Sequence, residues 1–166
     1  MAILDILVYP DPRLAQISSP VESFDVELLS FIFDLEETMR AGPPSVGIAA
    51  PQVGHFERII IVDVSSKPKI PNHGRLILIN PNILCKQGSM VGREGCLSVP
   101  EYTGNVSRAE KITLQALNKE GKSLNYNIEG FEARAVQHEI DHLDGLLFLD
   151  RLVSRRSSLF IRKIYK

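Results

Sequence analysis

Tryptophan is absent from the 166 residues, and the chain holds only two cysteines, Cys85 and Cys96, and four histidines. Two cysteines are too few for the disulfide framework on which small secreted domains rely, so reduced thiols and a cytoplasmic location are expected. Long apolar runs are missing as well. The best stretches, residues 59–62 and 76–79, fall far short of the roughly 18 residues of a membrane helix, so no membrane contact is expected. Neither sign of charge dominates. Nineteen Lys and Arg against twenty Asp and Glu leave a net charge of -1, which excludes a global positive field and with it any specific DNA binding driven by one. Residues 1–10 contain Asp5 and no basic side chain, so neither a signal peptide nor a transit peptide is expected.

The remaining composition is that of an ordinary globular chain, with 44% apolar and 23% charged residues, and the length suits one domain spanning residues 1–166. Phe24, Leu28, Phe31, Ile32, Leu35 and Met39 recur at helical spacing with acidic residues between them, predicting an amphipathic helix packed by one face and ended by Gly42-Pro43-Pro44. Residues 58–64 and 75–80 read as strands separated by a polar loop, and residues 111–117 and 123–128 as a second pair joined in a hairpin. From Gly130 a further helix places Phe131, Ala135, His138 and His142 on one stripe, with Gly145 positioned to end it. The order predicts an α+β fold: antiparallel or mixed sheets around that helix, with an N-terminal helix and a C-terminal helix. The C-terminal helix is the expectation for residues 151–166, where six Lys and Arg alternate with apolar residues and no acid occurs. Its cations either complement a helix C-terminus or dock transiently on the ribosome, and both can hold.

His138-Glu139-Ile140-Asp141-His142 is an H-E-x-x-H pattern. On a helix it brings both imidazoles to one face, where they can hold a single divalent ion with Glu139 beside it. The competing reading is two surface histidines, against which both share a stripe with Phe131 and Ala135. A catalytic site needs a third protein ligand and an open position. No Glu follows Glu139, and Phe148 stands where an extended H-E-x-x-H-x-x-G-x-x-H motif requires His, so the third ligand is expected upstream. Cys96, Cys85, His55, His73 and Asp63 are the candidates. A thiolate suits a borderline-soft cation best, and Cys96 lies in the Gly-containing turn Glu94-Gly95-Cys96-Leu97-Ser98. Cys96 is therefore taken as the ligand and Cys85 as a core thiol. A dinucleotide fingerprint at Gly47-Ile48-Ala49-Ala50 is rejected, because Ser45 replaces the first glycine and Pro51 falls where the phosphate-binding helix would run.

Ser45-Val46-Gly47-Ile48-Ala49-Ala50-Pro51-Gln52, Glu94-Gly95-Cys96-Leu97-Ser98 and residues 137–145 resemble, in order and spacing, the three signature segments of the peptide deformylase family. The resemblance covers nearly the whole chain. Ser45 departs from it, standing where the family usually has Gly, and its side chain is expected to narrow the substrate groove or alter the loop. The resemblance implies a bacterial-type hydrolase that removes the N-formyl group from the initiator methionine of nascent polypeptides. It implies Fe2+ in cells, with Zn2+, Ni2+ or Co2+ able to occupy the same Cys96, His138 and His142 ligands. Glu139 is expected to take a proton from water and return it to the amine, while Gln52 and the Leu97 N–H stabilise the oxyanion. Val46, Gly47 and Gly95 are expected to offer backbone to an extended peptide. Phe131 and Ala135 either line the methionine pocket or simply pack the helix. A metalloprotease and a non-catalytic metal-stabilised binding module are the alternatives from other classes.

Overall fold

The computed structural model describes residues 2–67 and 69–162. Helix α1 spans Val26–Ala41, and its N-terminus is capped by the Asp25 carboxylate, which accepts the Leu28 N–H at 3.0 Å. The strands are β1 (Gly47–Ala49), β2 (Ile59–Val62), β3 (Leu76–Gln87), β4 (Met90–Cys96), β5 (Val99–Arg108), β6 (Lys111–Leu117), β7 (Ser123–Glu129) and β8 (Leu159–Ile161). Helix α2, Gly130–Leu143, follows β7. All strand pairs are antiparallel and form two sheets, ordered β1-β2-β3-β6-β7 and β4-β5-β8.

The five-stranded sheet is covered on both faces, which explains why β2 is apolar throughout rather than alternating. Ile59 and Ile61 pack with Leu28, Ile32, Leu35 and Met39 of α1. Ile60 and Val62 pack on the opposite face with Val136, Ile140 and Leu143 of α2. A smaller cluster of Val99, Val106, Leu147 and Phe148 lies beneath the three-stranded sheet and reaches Cys96. Sandwiched in this way, α2 is buried on every side from Glu132 to Leu143, so its polar residues must find partners inside the protein. The helix ends where expected, with Gly145 at φ +76°.

Three expectations are corrected. The tail does not form a C-terminal helix. Residues 148–151 make one 3-10 turn, and β8 then pairs with β5. Serine chemistry accounts for this: the Ser154 N–H donates to Ser158 Oγ and the Ser158 N–H to Ser154 O, closing a local turn. The open edge of β5 takes up the chain beyond it. Residues 163–166 of the expected tail helix lie outside the described residues. Secondly, β3 continues past Asn80-Pro81 to Gln87 through two register shifts. Asn80 adopts φ +51° while its side-chain amide is bonded to the backbone of Val21 in both directions, so the kink that reads as a strand end is a pinned bulge. Thirdly, Cys85 is exposed rather than a core thiol, because the second shift, between Ile83 and Cys85, turns it away from the interior. Neither β4 nor β5 was anticipated as a strand.

Leu35 is completely buried between α1 and the sheet, whereas Val26 on the same helix is 79% exposed. Leu35→Ala is expected to cost about 2–5 kcal/mol in urea unfolding, and Val26→Ala less than about 0.5 kcal/mol. Equal effects would contradict this packing.

Candidate metal centre and its cavity

Burial along β4 alternates, with Arg93 and Gly95 exposed and Glu94 and Cys96 buried. That period turns the Cys96 thiol towards α2, where His138 and His142 stand one helical turn apart. The three ligand atoms lie within 4.8 Å of one another, and Cys96 Sγ is 3.2 Å from His142 Nε2. Two ligands of a tetrahedral ion sit roughly 3.5 Å apart at ordinary metal–sulfur and metal–nitrogen lengths, so the donor set fits a divalent cation. Glu94 accepts a hydrogen bond from His138 Nδ1 at 2.8 Å, which directs the other ring nitrogen to the centre, as is usual for metal-binding imidazoles.

Glu139 is 5% exposed, and its Oε1 has no hydrogen-bond partner among the described residues. Burial lifts its carboxyl to about 7, against the pull of His138 and with a further push from Glu94. Burial pushes His142 well below the ordinary histidine value. Burial also opposes charge on His138, but Glu139, Cys96 and Glu94 together hold that group well above it. An orphaned carboxyl oxygen in a buried site costs free energy unless something else meets it, and a water held beside the three ligands would do so.

Gln52, only 1% exposed, is held at both ends. Its Oε1 accepts the Ala49 N–H at 2.9 Å, and its Nε2 donates to Ser98 Oγ at 3.0 Å while lying 3.5 Å from Cys96 Sγ. One amide N–H is thereby spent on Ser98, and the other is turned to the centre beside Cys96. Gly47 passes so close to Glu139 that a Cβ there would fall 2.6 Å from Oε2. A cavity of about 510 Å³ opens from the centre and is lined by Val46, Gly47, Gln52, Gly95, Cys96, Leu97, Phe131, Ala135, His138 and Glu139. Every site residue expected from the sequence therefore reaches this cavity except His142, which lies behind the other ligands and is 1% exposed. Ser45 also lines it, and its hydroxyl is buried without a partner among the described residues.

The other ligand candidates are elsewhere. His55 stacks on Phe31 and pairs with Glu57, His73 pairs with the buried Glu132, and Asp63 caps a turn through Ser65. What the sequence analysis missed is the support. Arg108 donates two hydrogen bonds to Glu94 and one to Asp141, Arg134 donates to Glu94, and Arg151 grips Asp141 from beyond the helix. Ser98 was likewise overlooked. The signal available was the acid at Glu94, two residues before a ligand in a strand-like alternation.

Known proteins resemble the chain in both sequence and overall fold. The family model described as polypeptide deformylase matches residues 3–158. A peptide deformylase of Alkalilimnicola ehrlichii is 44% identical over 100% of this chain and 91% of its own length. The crystal structure of peptide deformylase from Thermotoga maritima superposes with a TM-score of 0.86 at 37% identity, covering 93% of this chain and 100% of that one. A class I type b peptide deformylase from Acinetobacter baumannii, crystallised with Met-Ala-Ser bound, gives a TM-score of 0.82 at 36% identity over 91% of this chain and 99% of that one.

The raised Glu139 value has a consequence for the metal-free protein. In the unfolded chain the carboxyl ionises near 4.5, and in the folded one near 7. The native state therefore holds the proton more tightly, and stability from this group is lost as pH rises between those values. Glu139→Gln removes the ionisation, so its stability relative to wild type is expected to improve by roughly 2–3 kcal/mol between pH 5 and pH 8. Metal-free denaturation at the two pH values tests this, and a pH-independent difference would refute it.

Proposed function

The chain belongs to the polypeptide deformylase family, and on that premise we propose how its residues remove the N-formyl group from the initiator methionine of nascent polypeptides. The reaction is hydrolysis of a formamide: water adds to the formyl carbon, the C–N bond breaks, and formate and a free amine leave. The observation that carries the assignment is the convergence of Cys96, His138 and His142 beside the unpartnered carboxyl oxygen of Glu139. A divalent ion held by those three residues supplies an activated water and Lewis-acid polarisation when bound. Two imidazoles and a thiolate suit Fe2+, our choice for the cell, and equally accommodate Zn2+, Ni2+ or Co2+.

Glu139 accepts the proton of the attacking water and returns it to the departing amine. Burial raises the affinity of this carboxyl for a proton in the metal-free protein, which suits a group that takes a proton from water and hands it on. Gln52 Nε2 and the Leu97 N–H donate to the oxygen on which negative charge builds, and the anchoring of Gln52 through Ala49 and Ser98 supports that role because a fixed donor needs no reorganisation.

The cavity suits an extended peptide. β1 and β4 are terminal strands of their respective sheets, and Gly47 and Gly95 from these strands line the same cavity. Two unpaired edges offer backbone hydrogen bonds to a strand laid between them, with Val46 alongside. The relative crystallised with Met-Ala-Ser bound supports a short peptide as the occupant. Phe131 and Ala135 face the cavity from α2 and form the methionine pocket. One folded unit acting in the cytoplasm, with Arg155 and Arg156 exposed for transient contact with the ribosome, completes the reading. No helix among the described residues is long and apolar enough to cross a membrane.

Protein prepared without oxygen and loaded with Fe2+ or Ni2+ is expected to release formate from a formyl-Met peptide. Glu139→Gln should lower turnover about 100 to 10,000-fold while keeping one metal per chain; loss of metal instead would assign Glu139 a structural role. Chelation should abolish turnover and lower the melting temperature together. Ala135→Leu should raise KM about tenfold by filling the pocket, and an unchanged KM would remove Ala135 from it.

A further inference from the structure

The outward face of the three-stranded sheet carries two arginines that the mechanism above does not use. In register, Arg93 lies opposite Asn105, Gly95 opposite Thr103, and Thr103 opposite Phe160. Alternation then puts Arg162, two residues beyond Phe160, on the same face. Arg93 stacks its guanidinium 3.8 Å from the centre of the Phe160 ring. Arg162, anchored by its N–H to Glu101 O, reaches across β5 so far that a Cβ on Gly95 would lie 2.5 Å from its Nη2. Gly95 is thus open for a second reason beyond its backbone: a side chain there would evict Arg162. Both guanidiniums line the cavity mouth, and among the described residues neither has a carboxylate within ion-pair distance.

We infer that Arg162 and Arg93 select an acidic side chain at the residue directly following the formyl-methionine. The inference rests on the extended-peptide reading above. In that reading the methionine side chain points to Phe131 and Ala135, on the α2 side of β4 to which Glu94 and Cys96 also turn. Successive side chains of a strand point to opposite faces, so the next residue presents its side chain to the face bearing Arg93 and Arg162. A carboxylate there gains two unpaired guanidiniums, and an ammonium is repelled by both. Arg162, just beyond β8 in the segment read from the sequence as a basic helix that either complements its own C-terminus or docks on the ribosome, in this way becomes part of the substrate groove.

The test is steady-state deformylation of formyl-Met-Glu-Ala, formyl-Met-Lys-Ala and formyl-Met-Ala-Ala by metal-loaded protein. At low ionic strength the Glu peptide is expected to exceed the Lys peptide about tenfold in kcat/KM, carried by KM, and the ratio should shrink towards one in about 0.5 M salt. In Arg93→Ala/Arg162→Ala the ratio should fall to near one, and Arg162→Lys should retain most of it. A wild-type ratio near one, or a ratio unchanged in the double variant, would overturn the inference while leaving the deformylase reading intact. Failure to release formate from formyl-Met-Ala-Ala would overturn both.

Discussion

Glu94 is 7% exposed yet ionised, and the surroundings of the metal centre are organised around keeping it so. Burial alone would drive its carboxyl up, but hydrogen bonds from Arg108 and His138 hold it well below the ordinary range. Its two oxygens accept from Arg108 on β5 and from Arg134 and His138 on α2, so one side chain of β4 ties the three-stranded sheet to the helix that carries the imidazoles. Arg108 extends the network to Asp141, and Arg151 closes it from the segment after α2. Buried ions cost several kcal/mol each to desolvate, and removing one partner strands the others. The network is consequently all-or-none, and its product is an imidazole with one nitrogen occupied and the other aimed at the cavity.

The second constraint is space. α2 lies between two sheets, and the backbone must come close wherever a functional side chain is brought in. At Gly92 a Cβ would fall 2.9 Å from the Arg134 guanidinium, so the arginine can reach Glu94 only past a glycine. Gly47 plays the same part for Glu139, and Gly95 for Arg162. These glycines keep open the approach of charged groups to strand backbone, a packing role distinct from freedom at a turn.

Helices α1 and α2 were legible because their apolar spacing and stop signals are local, and β6 and β7 because a polar hairpin joins two runs in which apolar residues alternate with polar ones. β4 and β5 were not, because their alternation is carried by Glu94, Arg108 and glycines rather than by apolar residues, and the inward acid and base look solvated until they are seen to neutralise each other. The segment that holds β8 was mistaken for a helix for a related reason: across residues 151–162 the spacing of cations and apolar residues fits either period, and only the open edge of β5 decides between them.

By itself the sequence determined the chemistry available: two histidines one helical turn apart, an acid between them, a single well-placed thiol, and three motifs in family order. Those features depend on residue type and on separations of a few positions along the chain, which local geometry converts directly into shared faces. Only the tertiary structure decided which distant groups meet. The partnership of Glu94 with Arg108 and Arg134, the anchoring of Gln52 through Ser98, and the delivery of Arg162 over Gly95 join residues 14 to 67 positions apart. Their pairing is set by sheet register, helix packing and the need to satisfy buried charge, none of which a single segment of sequence contains.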